Sequence, residues 1–444
     1  MKALNREFYN QFSDRLFQSL MHDEELSINL AAEDTIFSRF SKARIRQVTE
    51  VEQAYVNLNF IKGNKTIALS LKYTGDVETD FNFVHQKIKD AREHLNVIPD
   101  DPYLVRPQNF GNSQLESVHG ELSGEEMMDM IAEKSMGVDL AGVLLAGEMV
   151  RASSNSKGQN HWFKTQNFAF DYSLYNTRQK AVKSLYAGLN FDPNELAKNI
   201  DEAKAKLELM GIEPRKMPRG AYRVYLAPSA VSELIGTLSW GGVSMSAHQR
   251  GQGSLKALWK GEKKLSPLFS LSESFEINLS PRFNDSGEVA PMYLSLIEKG
   301  EFKNFLTSTR TANEFKVETN FASDWESLRS PVINAGNISE EDILKEIGTG
   351  LYISDLHYLN WSDRESARIT GMTRYACFYV ENGKLVAPIE DLRFDESYYH
   401  IFGEGLMGLT KNTYIIPRTG SYFEREIGGM QVPGMIVDQF KFTL

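Results

Sequence analysis

Eight histidines, His22, His85, His94, His119, His161, His248, His357 and His400, are the first residues to weigh for chemistry. A zinc hydrolase of the helical-motif kind needs two neutral imidazoles on adjacent turns and a carboxylate to activate water. No two of the eight stand four or five positions apart, so a metal centre would have to gather its ligands from distant parts of the chain. His119 and Glu121 match a deaminase H-x-E, but the cysteine pair that would complete such a site is missing. The one cysteine, Cys377, lies in TRYACFYVENG, where Tyr375, Cys377 and Tyr379 share one side of an expected strand. It reads as a buried, inert thiol, because nothing adjacent supplies the imidazole that would lower its pKa.

Other chemistries find little footing. There is no G-x-S-x-G elbow. GQGSL at 251–255 begins like a phosphate loop, yet Lys256 stands where the third glycine of G-x-G-x-x-G belongs. HQRGQGSLKALWKGEKK gathers Arg250, Lys256, Lys260, Lys263 and Lys264 around Trp259, which reads as a solvated basic loop before it reads as a platform for single-stranded nucleic acid. Asp355, Asp363 and Glu365 flank LHYLNW and are assigned surface or loop roles, since paired carboxylates alone do not make an acid and a base.

The elements that would position any site follow from periodicity and punctuation. Phe8, Phe12, Leu16 and Leu20 recur every four positions and predict an amphipathic first helix. Alternating residues from SRFSKARIRQ through AYVNLNFIKGNKTIALSLKYTG, with Gly63 and Asn64 between two runs, predict a hairpin. DFNFVHQKIKDAREHL sets Phe83 or Val84, Ile88, Ala91 and Leu95 on one helical face, and Pro99 and Pro102 mark 96–105 as a linker. A second hairpin is expected across the turn residues 153–158. The clearest helix is FDPNELAKNIDEAKAKLELMG, with Asp192 as its cap, Pro193 at its first position, Glu195 placed to complete a capping box and Gly211 to end it. GIEPRKMPRG, with Pro214, Pro218 and Gly220, looks like an interdomain joint. Beyond Tyr222 the chain is mostly strand-like, with short helices in SAVSELIGTLSW and SEEDILKEIG.

The expected fold is therefore α+β and two-lobed, an N-terminal lobe of antiparallel hairpins with packed helices followed by a C-terminal lobe rich in antiparallel and mixed sheet. The expected domains are 1–100, 105–215 and a mostly-β 220–444. At roughly 150 residues per domain, 444 residues accommodate this count. With 41% hydrophobic and 24% charged residues the composition excludes a disordered chain. A net charge of −10 argues against wholesale binding to nucleic acid or an anionic membrane surface. The absence of a signal-like h-region after the N-terminal lysine, of a membrane-spanning apolar run and of any cysteine pair gives a cytoplasmic location as the expectation.

Several segments carry a resemblance. FNDSGEVAP followed by LIEKGEFKNFLTSTRTA resembles the F-D-x-E-G turn and following strand pair of the TldD/PmbA (TldE) family. GLYISDLHYLNWSDRESARITGMTRYACFYVENGKLVAPIEDLRF is similar to that family's "GlyV" strand, its glycine-centred element at 370–373 and its "ieNGki" hairpin, and SSNSKGQNHWF to its "NS.G" turn. In the TldD type, H-E-x-x-x-H on a helix after a strand and a cysteine near the C terminus hold zinc. Here the corresponding stretch is YRVYLAPSAVSELIGTLSWGG, in which GTLSWG at 236–241 occupies the motif's place without a ligand, and the tail REIGGMQVPGMIVDQFKF has no cysteine.

The resemblance thus implies a TldE/PmbA-type chain with no catalytic or metal-binding residue of its own. It implies a dimer, either with a TldD-type zinc subunit or with itself, enclosing a chamber into which extended peptide enters to be cut at the partner's zinc. Such a chain would contribute strand edges that pair with the peptide main chain. The residues expected to contact peptide are Asn155, Ser156 and Gly158, then Asp285 and Gly287, then Thr370, Gly371, Thr373 and Arg374. Gly287 and Gly371 are places where a backbone could approach closely, or else tight turns needing positive φ. Two alternatives stay open: a self-sufficient metallopeptidase or hydrolase with dispersed ligands or Cys377, and a peptide- or protein-binding modulator that cuts nothing.

Overall fold

Alternation of apolar and polar residues builds the first lobe, and the punctuation between runs decides which strands are neighbours. The computed structural model describes residues 2–118 and 123–443; His119 and Glu121 lie outside them. In chain order the lobe comprises α1 (Arg6–Gln18), β1 (Glu24–Ser41), β2 (Arg44–Lys62), β3 (Lys65–Lys72), α2 (Val77–His94), β4 (Asn112–Ser117), α3 (Gly124–Lys134), β5 (Asp139–Asn155), β6 (Asn160–Tyr175), β7 (Ala181–Gly188) and α4 (Pro193–Leu209). The strands form one sheet in the order β3-β2-β1-β5-β6-β4, with β7 also on β6. Lys42 and Ala43, at φ 53° and 55°, make the tight turn between β1 and β2. The Gly63-Asn64 turn closes on the Lys62↔Lys65 pair, where the sequence places it.

The border expected between 1–100 and 105–215 falls inside this sheet. β1 pairs with β5 from Ser27↔Asn155 to Ser41↔Ala141, so both segments share one sheet and its core. Pro99 and Pro102 mark a break in local structure; they carry no information about a strand that returns forty residues later to pair.

One face of the sheet is apolar and lies under the helices. Leu26, Ile28, Leu30 and Ala32 of β1 pack with Tyr9, Phe12 and Leu16 of α1 and with Val84, Ile88 and Ala91 of α2. Of the two candidates on α2, Val84 turns inward, while Phe83 remains 46% exposed. Farther along the same sheet, Leu144, Phe168 and Phe170 meet Met127 and Ile131 of α3 and Leu196 and Ile200 of α4. The Asp192 side chain caps α4 by accepting the Asn194 N–H at 2.8 Å, with Pro193 at its first position. The other face of β1 presents Ser27, Asn29, Glu33 and Thr35, and this polar face meets the second lobe.

The second lobe comprises β8 (Gly220–Leu226), α5 (Pro228–Leu238), α6 (Met245–Gln249), α7 (Lys256–Trp259), β9 (Leu271–Ser274), β10 (Tyr293–Glu298), β11 (Glu301–Phe302), α8 (Thr309–Phe315), β12 (Pro331–Ile333), α9 (Ile343–Ile347), β13 (Gly350–Ile353), β14 (Asp355–Asp363), β15 (Arg368–Arg374), β16 (Phe378–Glu381), β17 (Lys384–Pro388), β18 (Arg393–Ser397), β19 (Leu406–Pro417) and β20 (Gly429–Phe442). They form a mixed sheet whose main path runs β11-β10-β9-β12-β20-β8-β13-β16-β17. β8 is central in it, parallel to β13 and antiparallel to β20. Val231, Leu234, Ile235 and Leu238 of α5 belong to the same buried cluster as Leu351, Ile353, Met435 and Val437.

Two features, among others, join the lobes. Ala376 and Phe378 sit in the apolar cluster of α3 and α4. The loop from β19 to β20 crosses to the first sheet and buries Arg425, 2% exposed, against β1, β5 and β6. Its backbone N–H donates to the Glu33 carboxylate at 3.1 Å, and its guanidinium donates to the Asn167 carbonyl at 3.2 Å. No helix among the described residues is long and apolar enough to cross a membrane.

Candidate functional site

A cleft of about 190 Å³ opens where the polar face of the first sheet meets the loops of the second lobe. β1 supplies Asn29, β5 supplies Arg151, and the second lobe supplies Phe283, Asp285, Trp325, Arg329 and Arg418. The turn FNDSGE is built around Asn284. Its Oδ1 accepts the Ser286 and Glu288 N–H groups at 2.9 and 3.0 Å, and its Nδ2 donates to Glu288 Oε2 at 2.9 Å and to the Ala322 carbonyl at 3.0 Å. Burial of Glu288 pushes its pKa up, so this network holds a carboxyl that protonates more readily than an exposed one.

The arginines are part of the frame. Arg329 donates to the carbonyls of Phe283 at 3.0 Å and Arg282 at 3.3 Å, and its guanidinium lies 4.8 Å from the Phe275 ring centroid. Buried Glu273 accepts the N–H groups of Arg329 and Ser330 at 3.0 and 3.1 Å. Arg151 pairs with Glu424 at 3.0 Å. Arg418 donates to the Leu328 carbonyl at 2.7 Å, and its closest carboxylate, on Glu426, is 3.9 Å away across open surface. Arg418 therefore keeps donor capacity for a ligand carbonyl or carboxylate. Trp325, 87% exposed, forms an apolar wall at the mouth.

From the first lobe, His161 stacks on Phe283 with ring centroids 5.5 Å apart and 16° between planes, and its Nδ1 shares a proton with Ser113 Oγ at 2.8 Å. Burial pushes this imidazole down to about 4, so it is a neutral packing surface at pH 7. The Asn29 amide donates to the Asp285 carbonyl.

Of the residues expected to contact peptide, Asp285 lines this cleft. Gly287 lies beside it at φ +75°, and a Cβ there would stand 1.8 Å from Gln159 Nε2 and 2.7 Å from Ser153 Oγ. The close approach the glycine permits is thus made to the first lobe's own β5–β6 turn. In that turn Asn155 donates to the Gln108 carbonyl at 2.8 Å and accepts the Lys157 N–H at 2.9 Å, Ser156 Oγ accepts the Leu26 N–H at 3.1 Å, and Gly158 takes φ +91°. These side chains hold the turn against the sheet.

The third group lies elsewhere, on β15. Thr370 donates to the Phe394 carbonyl at 2.9 Å, buried Thr373 accepts the Leu392 N–H at 2.9 Å, and Arg374 sits 5.4 Å from the Tyr375 ring centroid. Gly371 has ordinary strand geometry, and a Cβ there would stand 2.8 Å from the Phe394 ring and 3.1 Å from Leu359. It is small to admit a core aromatic, and the tight turn at positive φ is not found there.

Other expectations have definite outcomes. Cys377 is buried and its thiol is pushed up to about 12 by burial; the strand expected around it begins only at Phe378, after Tyr375 at φ 62°. Trp259 packs edge-on against His248 at 4.5 Å, and Arg250 and Lys260 are paired with Glu314 and Glu262. Asp355 is half-buried and pushed up to about 6, chiefly by burial. Gly236, on α5, has open space within 4 Å of where a Cβ would stand, and the neighbouring Thr237 hydroxyl donates to the Glu233 carbonyl at 3.0 Å. Among the described residues no group of three or more His, Cys, Asp or Glu is placed to hold a metal ion, so these residues do not fit the zinc that the resemblance associates with this place in the fold.

Arg151, Trp325, Arg329 and Arg418 escaped sequence reasoning. The one available signal was Trp325 itself, a large apolar residue in the polar run ASDWES.

Comparison with known proteins covers the whole fold. No curated protein matches the chain. TldE from Thermococcus kodakarensis has a TM-score of 0.79 at 16% identity, over 98% of this chain and 99% of that one. A proposed modulator of a DNA gyrase from Thermotoga maritima has 0.78 at 17%, over 98% and 100%. A proposed modulator of DNA gyrase from Bacteroides thetaiotaomicron has 0.76 at 14%, over 99% of each. At these identities the likeness is one of fold. The family model of the PmbA/TldA metallopeptidase C-terminal domain matches residues 219–444, just over half of the chain. With its second lobe matched throughout by that model, the chain belongs to the TldD/PmbA metallopeptidase family.

Proposed function

We propose that this chain is the non-metal, TldE-type subunit of a two-chain zinc metallopeptidase, holding extended peptide at its interlobe cleft while a TldD-type partner carries the zinc and cuts. The observation that carries this reading is the composition of α5 and the turn after it. This helix directly follows the central strand β8, and residues 236–241 are Gly, Thr, Leu, Ser, Trp and Gly, none of which ligates zinc. The cleft supports the second half of the reading. It combines a half-free guanidinium, an exposed indole and the carboxylate of Asp285, a mixture suited to a main chain with varied side chains rather than to one small molecule.

The experiment is reconstitution with a TldD-type chain. Alone, this chain should leave an unfolded casein or a quenched fluorescent peptide intact; with the partner and zinc, cleavage should appear and be lost on chelation. Peptide hydrolysis by the purified single chain that survives removal of contaminants would overturn the proposal.

A further inference from the structure

The interlobe cleft is basic in an acidic chain. Among the charged side chains that line it, Arg151, Arg329 and Arg418 are cations and Asp285 is the one carboxylate, although the whole chain carries a net charge of −10. Arg151 is neutralised by Glu424 at 3.0 Å. What remains is Arg329 and Arg418 against Asp285, an excess of one positive charge.

Neither of these two guanidiniums has a close carboxylate of its own. Among the described residues Arg329 makes no ion pair within 4 Å, and Arg418 reaches only Glu426, at 3.9 Å. Buried Glu273 is near both, but its carboxylate accepts the main-chain N–H groups of Arg329 and Ser330, and burial pushes its pKa up, toward the neutral form. Burial also pushes Arg329 below the ordinary guanidinium value, as expected of a poorly solvated cation without full compensation. A guanidinium carries five N–H donors; Arg329 engages two of them, on the Phe283 and Arg282 carbonyls, and Arg418 one, on the Leu328 carbonyl. In the same lining the Ser323 Oγ is buried and has no hydrogen-bond partner among the described residues. A carboxylate is the group that satisfies planar N–H forks and a hydroxyl together.

We propose that Arg329 and Arg418, with the Ser323 hydroxyl, form a subsite that grips one carboxylate of a peptide, either its free C-terminal end or an aspartate or glutamate side chain. The inference rests on the reading of this cleft as a peptide site and names the group that the cleft holds. A single carboxylate matches an excess of one positive charge, whereas a doubly charged phosphate would leave the Asp285 carboxylate unopposed. At about 190 Å³ the cleft takes a chain end or one side chain, with the rest of the peptide lying outside it. Trp325, at the mouth, gives the residue beside the carboxylate an apolar surface to lie on. A peptide held by one fixed group lies in one register along the cleft, so the subsite is a specificity device.

Fluorescence anisotropy on the full chain, with N-terminally labelled peptides of one neutral sequence, tests it. The peptide ending in a free carboxylate should bind about tenfold tighter than the same peptide ending in an amide. An amide-ended peptide carrying one internal glutamate separates the two sources: recovered affinity means that any carboxylate serves, and no recovery means that the subsite reads the chain end. Arg418→Gln should bring the acid-to-amide ratio close to one, and a ratio is not moved by a general loss of stability. Should that variant fail to fold, sodium acetate in place of chloride at equal ionic strength should still weaken the acid peptide and leave the amide peptide unchanged in the native chain. Equal binding of all these peptides, a ratio unchanged by Arg418→Gln in a folded variant, or indifference to acetate would overturn the subsite while leaving the cleft as a peptide site; no binding of any peptide would overturn both.

Discussion

Replacing Gly287 with Ala tests whether the two lobes are locked by the contact between the FNDSGE turn and the β5–β6 turn. Two costs add. The residue sits at φ +75°, where a Cβ costs about 1 kcal/mol. The new methyl would also lie 1.8 Å from Gln159 Nε2 and 2.7 Å from Ser153 Oγ. Gln159 is 1% exposed, and its Oε1 accepts the Phe110 N–H at 3.2 Å, so moving it disturbs a buried bond; overpacking of this kind costs about 1–3 kcal/mol. The expected loss is about 3 kcal/mol, read as a shift of the midpoint in equilibrium urea unfolding followed by circular dichroism. In a background carrying both Gln159→Ala and Ser153→Ala the side-chain clashes are relieved and only the backbone cost of about 1 kcal/mol should remain. A loss below about 0.5 kcal/mol, or an equal loss in both backgrounds, would refute the interlobe contact.

Other predictions follow from single groups. Arg425→Met should cost about 3 kcal/mol, since it takes the buried cation away from Glu33 and the guanidinium donor away from Asn167, and limited proteolysis should then cut the 418–428 loop faster than in the native chain. His161 is neutral when folded, with its pKa pushed down to about 4. Below its unfolded pKa of about 6.5 the unfolded chain binds the proton and the folded one does not, so stability should fall between about pH 6.5 and 4, by up to about 3 kcal/mol; His161→Gln should flatten that segment of the stability–pH curve. The Cys377 thiol, pushed up to about 12 by burial, should resist a thiol reagent in the native protein at pH 8 and react at once in urea. Trp325→Ala should weaken binding of an unfolded peptide, read by fluorescence anisotropy, by about tenfold without moving the urea midpoint, because Trp325 is 87% exposed.

What the sequence disclosed, and what it withheld, divides by distance along the chain. The Gly63-Asn64 hairpin, the Asp192-Pro193 helix start and α5 depend on a few neighbouring residues, and each is found where local chemistry puts it. The division expected at 100–105 runs through one sheet, because β1 pairs with β5 a hundred or more residues later, and register of that kind is set by which faces need burying. The cleft was withheld for the same reason: Arg151 and Arg418 meet only because β5 of one lobe lies under a loop of the other. Gly287 and Gly371 show the limit from the other side. Both are glycines because something comes close, yet in each case the neighbour is this chain's own side chain, Gln159 or Phe394, and a sequence does not say whose atoms occupy the space.

The zinc of this peptidase, on the reading proposed above, belongs to the partner chain, and metal content of the freshly purified, tag-free single chain by mass spectrometry tests that most directly. Essentially no zinc per chain is the expected result; close to one tightly held zinc per chain would contradict it.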